Sequence, residues 1–255
     1  MSSTLVKQNP AAPKDFFEAE ASGLRWLSAA GGARCVRVVD AGPGRIELER
    51  ISTTQPSREA ASAFGRELAT THDAGAAAFG AAPDGWSGRL YIGRREMPSH
   101  TADSWGEFYA RYRVEPFLDT AVDAGNLSSD ERALVDTACG IIASGAFDDG
   151  DAPARIHGDL WNGNVLWADS GAVLIDPAAH GGHRETDLAM LSLFGLPYLE
   201  TVLAGYQERH PLRDGWRERV PVHQLHPLAV HAAGHGRGYG VELATAARAV
   251  IALAG

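Results

Sequence analysis

Apolar positions along the first fifth of the chain change period twice, and the changes predict a strand, a helix and a hairpin. Thr4 to Lys7 reads as a short extended segment, followed by a proline-punctuated stretch at 9–13. Phe17, Ala21, Leu24 and Leu27 then recur at helical spacing, which gives a helix one apolar face. Asp15 with Glu18 three residues on matches a capping box, and Gly31-Gly32 supplies the stop. Cys35 to Val39 and Arg45 to Ile51 are β-branched and alternating, so they predict two strands joined at Gly42-Pro43-Gly44.

After Ser52 the texture becomes helical, which predicts a small lobe at 1–52 and a larger, mainly helical lobe at 53–255. Ser57 caps a segment in which Ala60, Phe64 and Leu68 share a face with Thr71 or His72. A Gly/Pro/Trp loop is expected from Gly75 to about Gly93. Two further helices, at 105–123 and 130–144, are separated at Gly125-Asn126. An acidic, glycine-rich loop at 145–153 leads to a hairpin, Val165 to Trp167 and Ala172 to Ile175 around Asp169-Ser170-Gly171. The remainder reads as mostly helical over 187–194, 198–210 and 221–254, with breaks at Pro197, Pro211 and the Gly234 to Gly240 run, and Pro227 interrupts the last segment as well.

Charge narrows the function. The chain of 255 residues carries 23 basic and 32 acidic side chains, a net charge of -9, which gives no footprint for nucleic acid. A neutral or cationic small molecule suits it better. Cys35 and Cys139 have neither a disulfide framework nor metal-ligand spacing, which fits a reducing cytoplasm. No stretch has signal-peptide character or the apolar length to cross a bilayer, so neither secretion nor a membrane partner is expected.

The chemistry concentrates in His157-Gly158-Asp159-Leu160-Trp161-Asn162-Gly163-Asn164, with Asp176 following across the hairpin. An Asp and an Asn five positions apart, then a second Asp after the next strand, is the spacing of a kinase catalytic loop. There the first Asp accepts the proton of the attacking hydroxyl, and the Asn and second Asp hold magnesium against the phosphates. Taken singly, each could cap a turn or end a strand; together at these offsets they predict phosphoryl transfer. His231 and His235 lie one helical turn apart with His223 and His226 upstream, but Ala232 fills the place of a zinc protease's glutamate. A zinc site is therefore not expected.

These motifs, with Leu174-Ile175-Asp176-Pro177-Ala178, Gly182 to Met190 and Trp105 to Tyr109, resemble the fructosamine (ketosamine) kinases, relatives of the aminoglycoside phosphotransferases. The resemblance implies an α+β, protein-kinase-like bilobal fold with a reduced N-terminal lobe. It implies ATP and Mg2+, with Asp159 as base, Asn164 and Asp176 as metal ligands, and Trp161 beside Asp159 at the sugar. An indole face stacks on the apolar face of a sugar ring, which agrees with that placement. It makes Lys7 the phosphate-holding lysine and Glu20 its helix partner, with Glu47 to Ile51 as the interlobe hinge, Glu49 and Ile51 included, whose backbone groups pair with adenine. The implied acceptor is a fructosamine or ribulosamine hydroxyl. Gly158, Pro177 and Ala178 stand where protein kinases carry an Arg and a Phe-Gly, so a constitutively assembled site is expected. Six residues before Lys7 leave no room for the two strands and glycine-rich loop that normally cover the phosphates, and no glycine precedes Gly23. The expectation is a start displaced from the natural one. A related aminoglycoside-like phosphotransferase and a catalytically impaired nucleotide-binding protein stay open at this point.

Overall fold

Alternation and helical spacing both translate into the observed elements. The computed structural model describes residues 3–255, so the first two positions of the 1–52 unit lie outside the described residues. Strand β1 (Thr4–Gln8) pairs antiparallel with β3 (Arg45–Glu49), and β3 pairs antiparallel with β2 (Val38–Gly42), giving the order β1-β3-β2. Ile46 and Leu48 of β3 point inward while Arg45, Glu47 and Glu49 point outward, the period of two expected of a sheet with one covered face. Helix α1 (Phe16–Ser28) covers that face with Phe17, Ala21, Leu24 and Leu27. The hairpin register sets Gly42 opposite Arg45, so β2 begins three residues later than the alternation at Cys35 predicts. Cys35 instead makes an isolated parallel bridge to Leu174, which ties the small sheet to the hairpin of the catalytic segment.

The capping box expected at Asp15 does not form. Asp15 stands at the N-cap of α1 without a side-chain capping bond, because its carboxylate is taken by the Arg89 guanidinium at 2.5 and 3.0 Å and by the Tyr91 hydroxyl at 2.8 Å. Arg89 and Tyr91 belong to a hairpin, β4 (Leu90–Ile92) and β5 (Arg95–Met97), inside the segment read as loop. Three-residue strands among glycines and prolines carry too little alternation to register as strands. Through Asp15, this hairpin fastens the start of α1 to the larger lobe.

The larger lobe comprises α2 (Arg58–Asp73), α3 (Trp105–Tyr109), α4 (Leu118–Asp123), α5 (Ser129–Ala143), α6 (Arg184–Leu193), α7 (Leu199–Arg209), α8 (Val220–Ala232) and α9 (Arg237–Ala254). A short strand pair and a hairpin complete it: β6 (Ala154–Ile156) pairs with β9 (His180–Gly182), and β7 (Val165–Ala168) with β8 (Gly171–Leu174). Pro227 lies inside α8 rather than ending it. Proline has no N–H to offer the carbonyl four residues back, which is that of His223. The buried Tyr109 hydroxyl donates to the His223 carbonyl at 2.7 Å and accepts the His226 N–H at 3.0 Å, so the freed backbone groups are satisfied from α3.

Two apolar clusters form the interior. One joins α1 and β3 to α2, α7 and the β7–β8 hairpin through Phe17, Leu27, Leu48, Phe64, Val173 and Tyr206. The other packs α3, α4, α5, α8 and α9 around Phe108, Leu118, Val135, Leu225 and Val250. A helix and three strands cannot enclose a core of their own at this size, so the first cluster runs continuously past residue 52. Catalytic-segment residues Leu160, Val165 and Leu174 belong to that first cluster, which holds the loop rigidly between the small sheet and the helices.

Candidate active site

The loop from His157 to Asn164 is held from below by one carboxylate. Asp187, in the first turn of α6, accepts the His157 N–H at 2.7 Å and the Gly158 N–H at 2.9 Å, and the His72 Nε2 at 3.1 Å. Burial pushes Asp187 up, but the hydrogen bond from His72 and the loop amides outweigh it and hold the carboxyl below its ordinary range. His72 is itself buried and shifted down, hence neutral, so its Nε2–H donates to Asp187 and its Nδ1 accepts from the Tyr206 hydroxyl at 2.8 Å. Arg184 closes the relay, donating to Tyr206 at 3.1 Å, to Asp73 at 3.0 Å and to Asp151 at 2.7 Å.

Gly158 has φ +79°, and a Cβ there would lie 2.3 Å from the Ala178 carbonyl. An Arg at this position, as in protein kinases, is excluded by the backbone itself. His157 accepts the Asp159 N–H on Nδ1 at 3.2 Å, which leaves Nε2–H to donate to the Ile175 carbonyl at 2.9 Å. Loop and hairpin end are thereby locked together.

Above this scaffold the side chains converge. Asn164 donates through Nδ2 to the Asp159 carbonyl at 2.8 Å and to Asp159 Oδ2 at 3.1 Å, which turns its own Oδ1 away from these contacts. Asp176 has φ +54°, a left-handed conformation uncommon outside glycine and typical of residues held in place for a task. Lys7 of β1 reaches across the cleft to Glu20 Oε1 at 2.8 Å and pairs directly with Asp176. Burial lowers the Lys7 ammonium, but Glu20 and Asp176 outweigh it, so the lysine is held above its ordinary range and stays charged. Burial raises Glu20, with Lys7 opposing. Asp159 is pushed up to about 7, chiefly by desolvation, with the Asn164 hydrogen bond opposing and the charges of Asp176 and Asp187 assisting. A carboxyl titrating near neutrality is matched to proton transfer at physiological pH.

Lys7, Glu20, Asp159, Trp161, Asn164 and Asp176 line one cavity of about 480 Å3, together with Phe16, Phe17, Tyr91 and Arg94. Six of the eight residues singled out in the sequence are therefore brought together. Glu49 and Ile51 are not in this lining. The Glu49 carboxylate accepts the Arg37 N–H at 2.9 Å and the Arg34 guanidinium at 3.1 Å, and Ile51 packs against the first apolar cluster. Trp161 is 38% exposed; its six-membered ring lies against Gly163 and makes an edge contact with Phe194 at 5.8 Å, and the indole lines the cavity. Tyr91 and Arg94 were not singled out in the sequence; the one available signal was the Tyr-Ile-Gly-Arg-Arg turn of the β4–β5 hairpin.

Asn164 Oδ1 and the Asp176 carboxylate are hard oxygen donors, and a cation, the Lys7 ammonium, already rests on Asp176. That donor set fits magnesium. A second group, His183, Glu185 and His223, brings possible ligand atoms within 4.8 Å. It is already neutralised: Arg219 forks onto Glu185 at 2.5 and 3.0 Å, and His183 Nδ1 is spent on the Glu185 N–H.

A carboxyl near neutrality, two further oxygen-bearing side chains and a lysine–glutamate pair meet between a small sheet and a helical lobe, the arrangement of a protein-kinase-like fold. The fructosamine kinase family description matches residues 2–252, and the chain belongs to that family. It is 31% identical over 239 residues to a Synechocystis protein named "Probable ketoamine kinase", covering 92% of this chain and 78% of that one. A crystal structure from Thermobifida fusca, carrying a provisional fructosamine-3-kinase name, superposes with TM-score 0.91 at 46% identity, over 98% of this chain and 85% of that one. An aminoglycoside phosphotransferase in ternary complex with AMP-PNP and hygromycin B gives TM-score 0.61 at 18% identity, over 98% and 85%, a likeness of fold alone. Family membership makes the protein a phosphotransferase with an alcohol group as acceptor and ATP as donor. No helix among the described residues is long and apolar enough to cross a membrane.

Proposed function

We propose that the protein phosphorylates a sugar hydroxyl of a ketosamine of the fructosamine or ribulosamine type, with Asp159 as general base. The observation that carries this reading is the Asp159 carboxyl: half-buried, pushed up to about 7 and oriented by Asn164, at the wall between the lysine-bearing cleft and the indole of Trp161.

Asp159 accepts the proton of the acceptor hydroxyl as its oxygen bonds to the γ-phosphorus and the bridging P–O bond to the β-phosphate breaks, releasing ADP. The proton then leaves Asp159 for solvent. Lys7, held by Glu20, binds the phosphates as a fixed charge and needs no reorganisation during transfer. Asn164 and Asp176 would hold magnesium, which when bound neutralises phosphate charge. Trp161 stacks on the sugar and sets the hydroxyl toward Asp159. An adenine-side role for this strip would fall to backbone groups other than the Glu49 N–H, which donates to the Arg37 carbonyl at 2.9 Å, since the Glu49 carboxylate is bound by Arg34 and Arg37. The cytoplasm, where ATP is plentiful and Cys35 and Cys139 stay reduced, is the compartment this chemistry needs.

The experiment is to incubate the protein with ATP, magnesium and N-fructosyl or N-ribulosyl amines and follow the phosphorylated sugar by phosphorus NMR. A sugar phosphate ester that forms only with ATP, and disappears when magnesium is chelated, is the expected result. ATP hydrolysis with no ester, or no consumption of ATP with any ketosamine, refutes the reading.

A further inference from the structure

Asp159, Trp161, Gly93 and Arg94 line a second cavity, of about 700 Å3, as well as the first. The catalytic loop and the β4–β5 turn therefore stand between two chambers. The outer one is completed by Arg95, His231 and His235 among apolar and glycine positions, and Asp159 is its sole carboxylate among the described residues. In a chain with 32 acidic against 23 basic side chains, two arginines facing one acid, with two imidazoles beside them, is a local reversal of charge.

Two of these basic groups are uncommitted. The exposed Arg94 guanidinium makes no hydrogen bond or ion pair among the described residues, and the exposed His235 imidazole makes only ring contacts, with His231 at 5.0 Å and Tyr239 at 6.3 Å. The other two are anchored. Arg95 donates to the Ala233 carbonyl at 2.6 Å, which pins the hairpin to the end of α8, and His231 Nδ1 donates to the Pro227 carbonyl at 2.7 Å. Fixed walls with two free donors at the mouth suit an anionic group on the acceptor and repel a polycation such as an aminoglycoside.

We infer that the acceptor of this enzyme is a ketosamine whose amine bears a carboxylate, the adduct of a sugar with a free amino acid, and that Arg94 and His235 receive that carboxylate. The inference rests on the ketosamine reading above and adds the chemistry of the amine side. The ketosamine ammonium then lies toward Asp159 and the carboxylate toward the basic rim, so a zwitterionic acceptor matches both ends of the chamber. Neutral amines and side-chain adducts without a nearby carboxylate match only one.

N-fructosyl-glycine and N-fructosyl-glycinamide differ only in carboxylate against amide. With the intact protein, kcat/KM for the acid is expected to exceed that for the amide by about fivefold or more, the scale of one solvent-exposed charge pair. In the Arg94→Gln/His235→Gln variant the ratio is expected to fall to about one. Both positions are exposed, and circular dichroism confirms that the variant is folded. Equal kcat/KM for acid and amide in the native protein overturns the inference and leaves the kinase reading standing, as does a preference that survives the double substitution. If neither these compounds nor their N-ribulosyl counterparts are phosphorylated, the ketosamine reading fails and this inference falls with it.

Discussion

Asp187→Asn removes a single charge without changing the size of the side chain, and the contacts around it set the cost. The carboxylate accepts two N–H groups from the catalytic loop, at 2.7 and 2.9 Å on separate oxygens, and a third hydrogen bond from His72 at 3.1 Å. Asparagine keeps one acceptor oxygen and turns an NH2 toward a buried N–H donor. One charge-assisted bond is lost and one backbone donor is left unsatisfied, losses of about 1.5–3 and 1–3 kcal/mol respectively, so about 2.5–6 kcal/mol in all. For a chain of this size each kcal/mol lowers Tm by about 2–4 °C, which sums to a fall of roughly 5–24 °C. Because Gly158 precedes Asp159 directly, the base moves with the displaced loop, and turnover should fall by at least tenfold at temperatures where the variant is still folded. Thermal unfolding by calorimetry and kcat at 20 °C measure the two effects separately. A Tm within 2 °C of the native value, with kcat unchanged, would show that Asp187 does not organise the loop.

Lys7→Met should lower kcat/KM by roughly 10²–10³, the scale of losing one fixed donor to developing charge, with little change in Tm because the ammonium is partly exposed. Trp161→Ala should raise KM for the ketosamine by roughly threefold to tenfold while KM for ATP stays constant, as expected for loss of one stacking face; equal effects on both constants would place the indole elsewhere. Stability should fall in acid through Glu185. Burial pushes that carboxyl up, but hydrogen bonds from His223 and Arg219 outweigh it and hold it at about 2. A depressed folded value means the contribution is complete above the unfolded value of about 4.5 and is lost as pH falls from there toward 2. Denaturant midpoints at pH 7 and pH 3 should therefore differ less in Glu185→Gln than in the native protein.

The small sheet, α1 and the catalytic hairpin were legible because their patterns are local: Ile46 and Leu48 alternate, Phe17 to Leu27 repeat at helical spacing, and a glycine turn sits between β7 and β8. Asp159, Asn164 and Asp176, which line one cavity, were legible because their spacing along the chain is that of a kinase catalytic loop. Contacts that depend on distant partners were not. Asp15 has a capping sequence, yet Arg89 and Tyr91, more than seventy positions away, claim its carboxylate. Pro227 reads as a helix break, and only Tyr109 allows α8 to continue through it. Asp187 reads as one member of a structural network with Arg184 and Glu185, while its two bonds to the loop amides appear only once α6 is packed beneath the loop. The basic rim of the outer chamber draws Arg94 and His235 from segments some 140 positions apart, a distance over which sequence carries no periodic signal.

The proton acceptor is the most exposed point of the account. In Asp159→Asn the side chain keeps its shape and its contact with Asn164 but cannot take a proton. Single-turnover transfer from bound ATP to N-fructosyl-glycine should slow by roughly 10²–10⁴, while ATP affinity measured by calorimetry stays within a few-fold of native. Transfer at a rate close to native would show that another group accepts the proton and that the assignment of Asp159 is wrong.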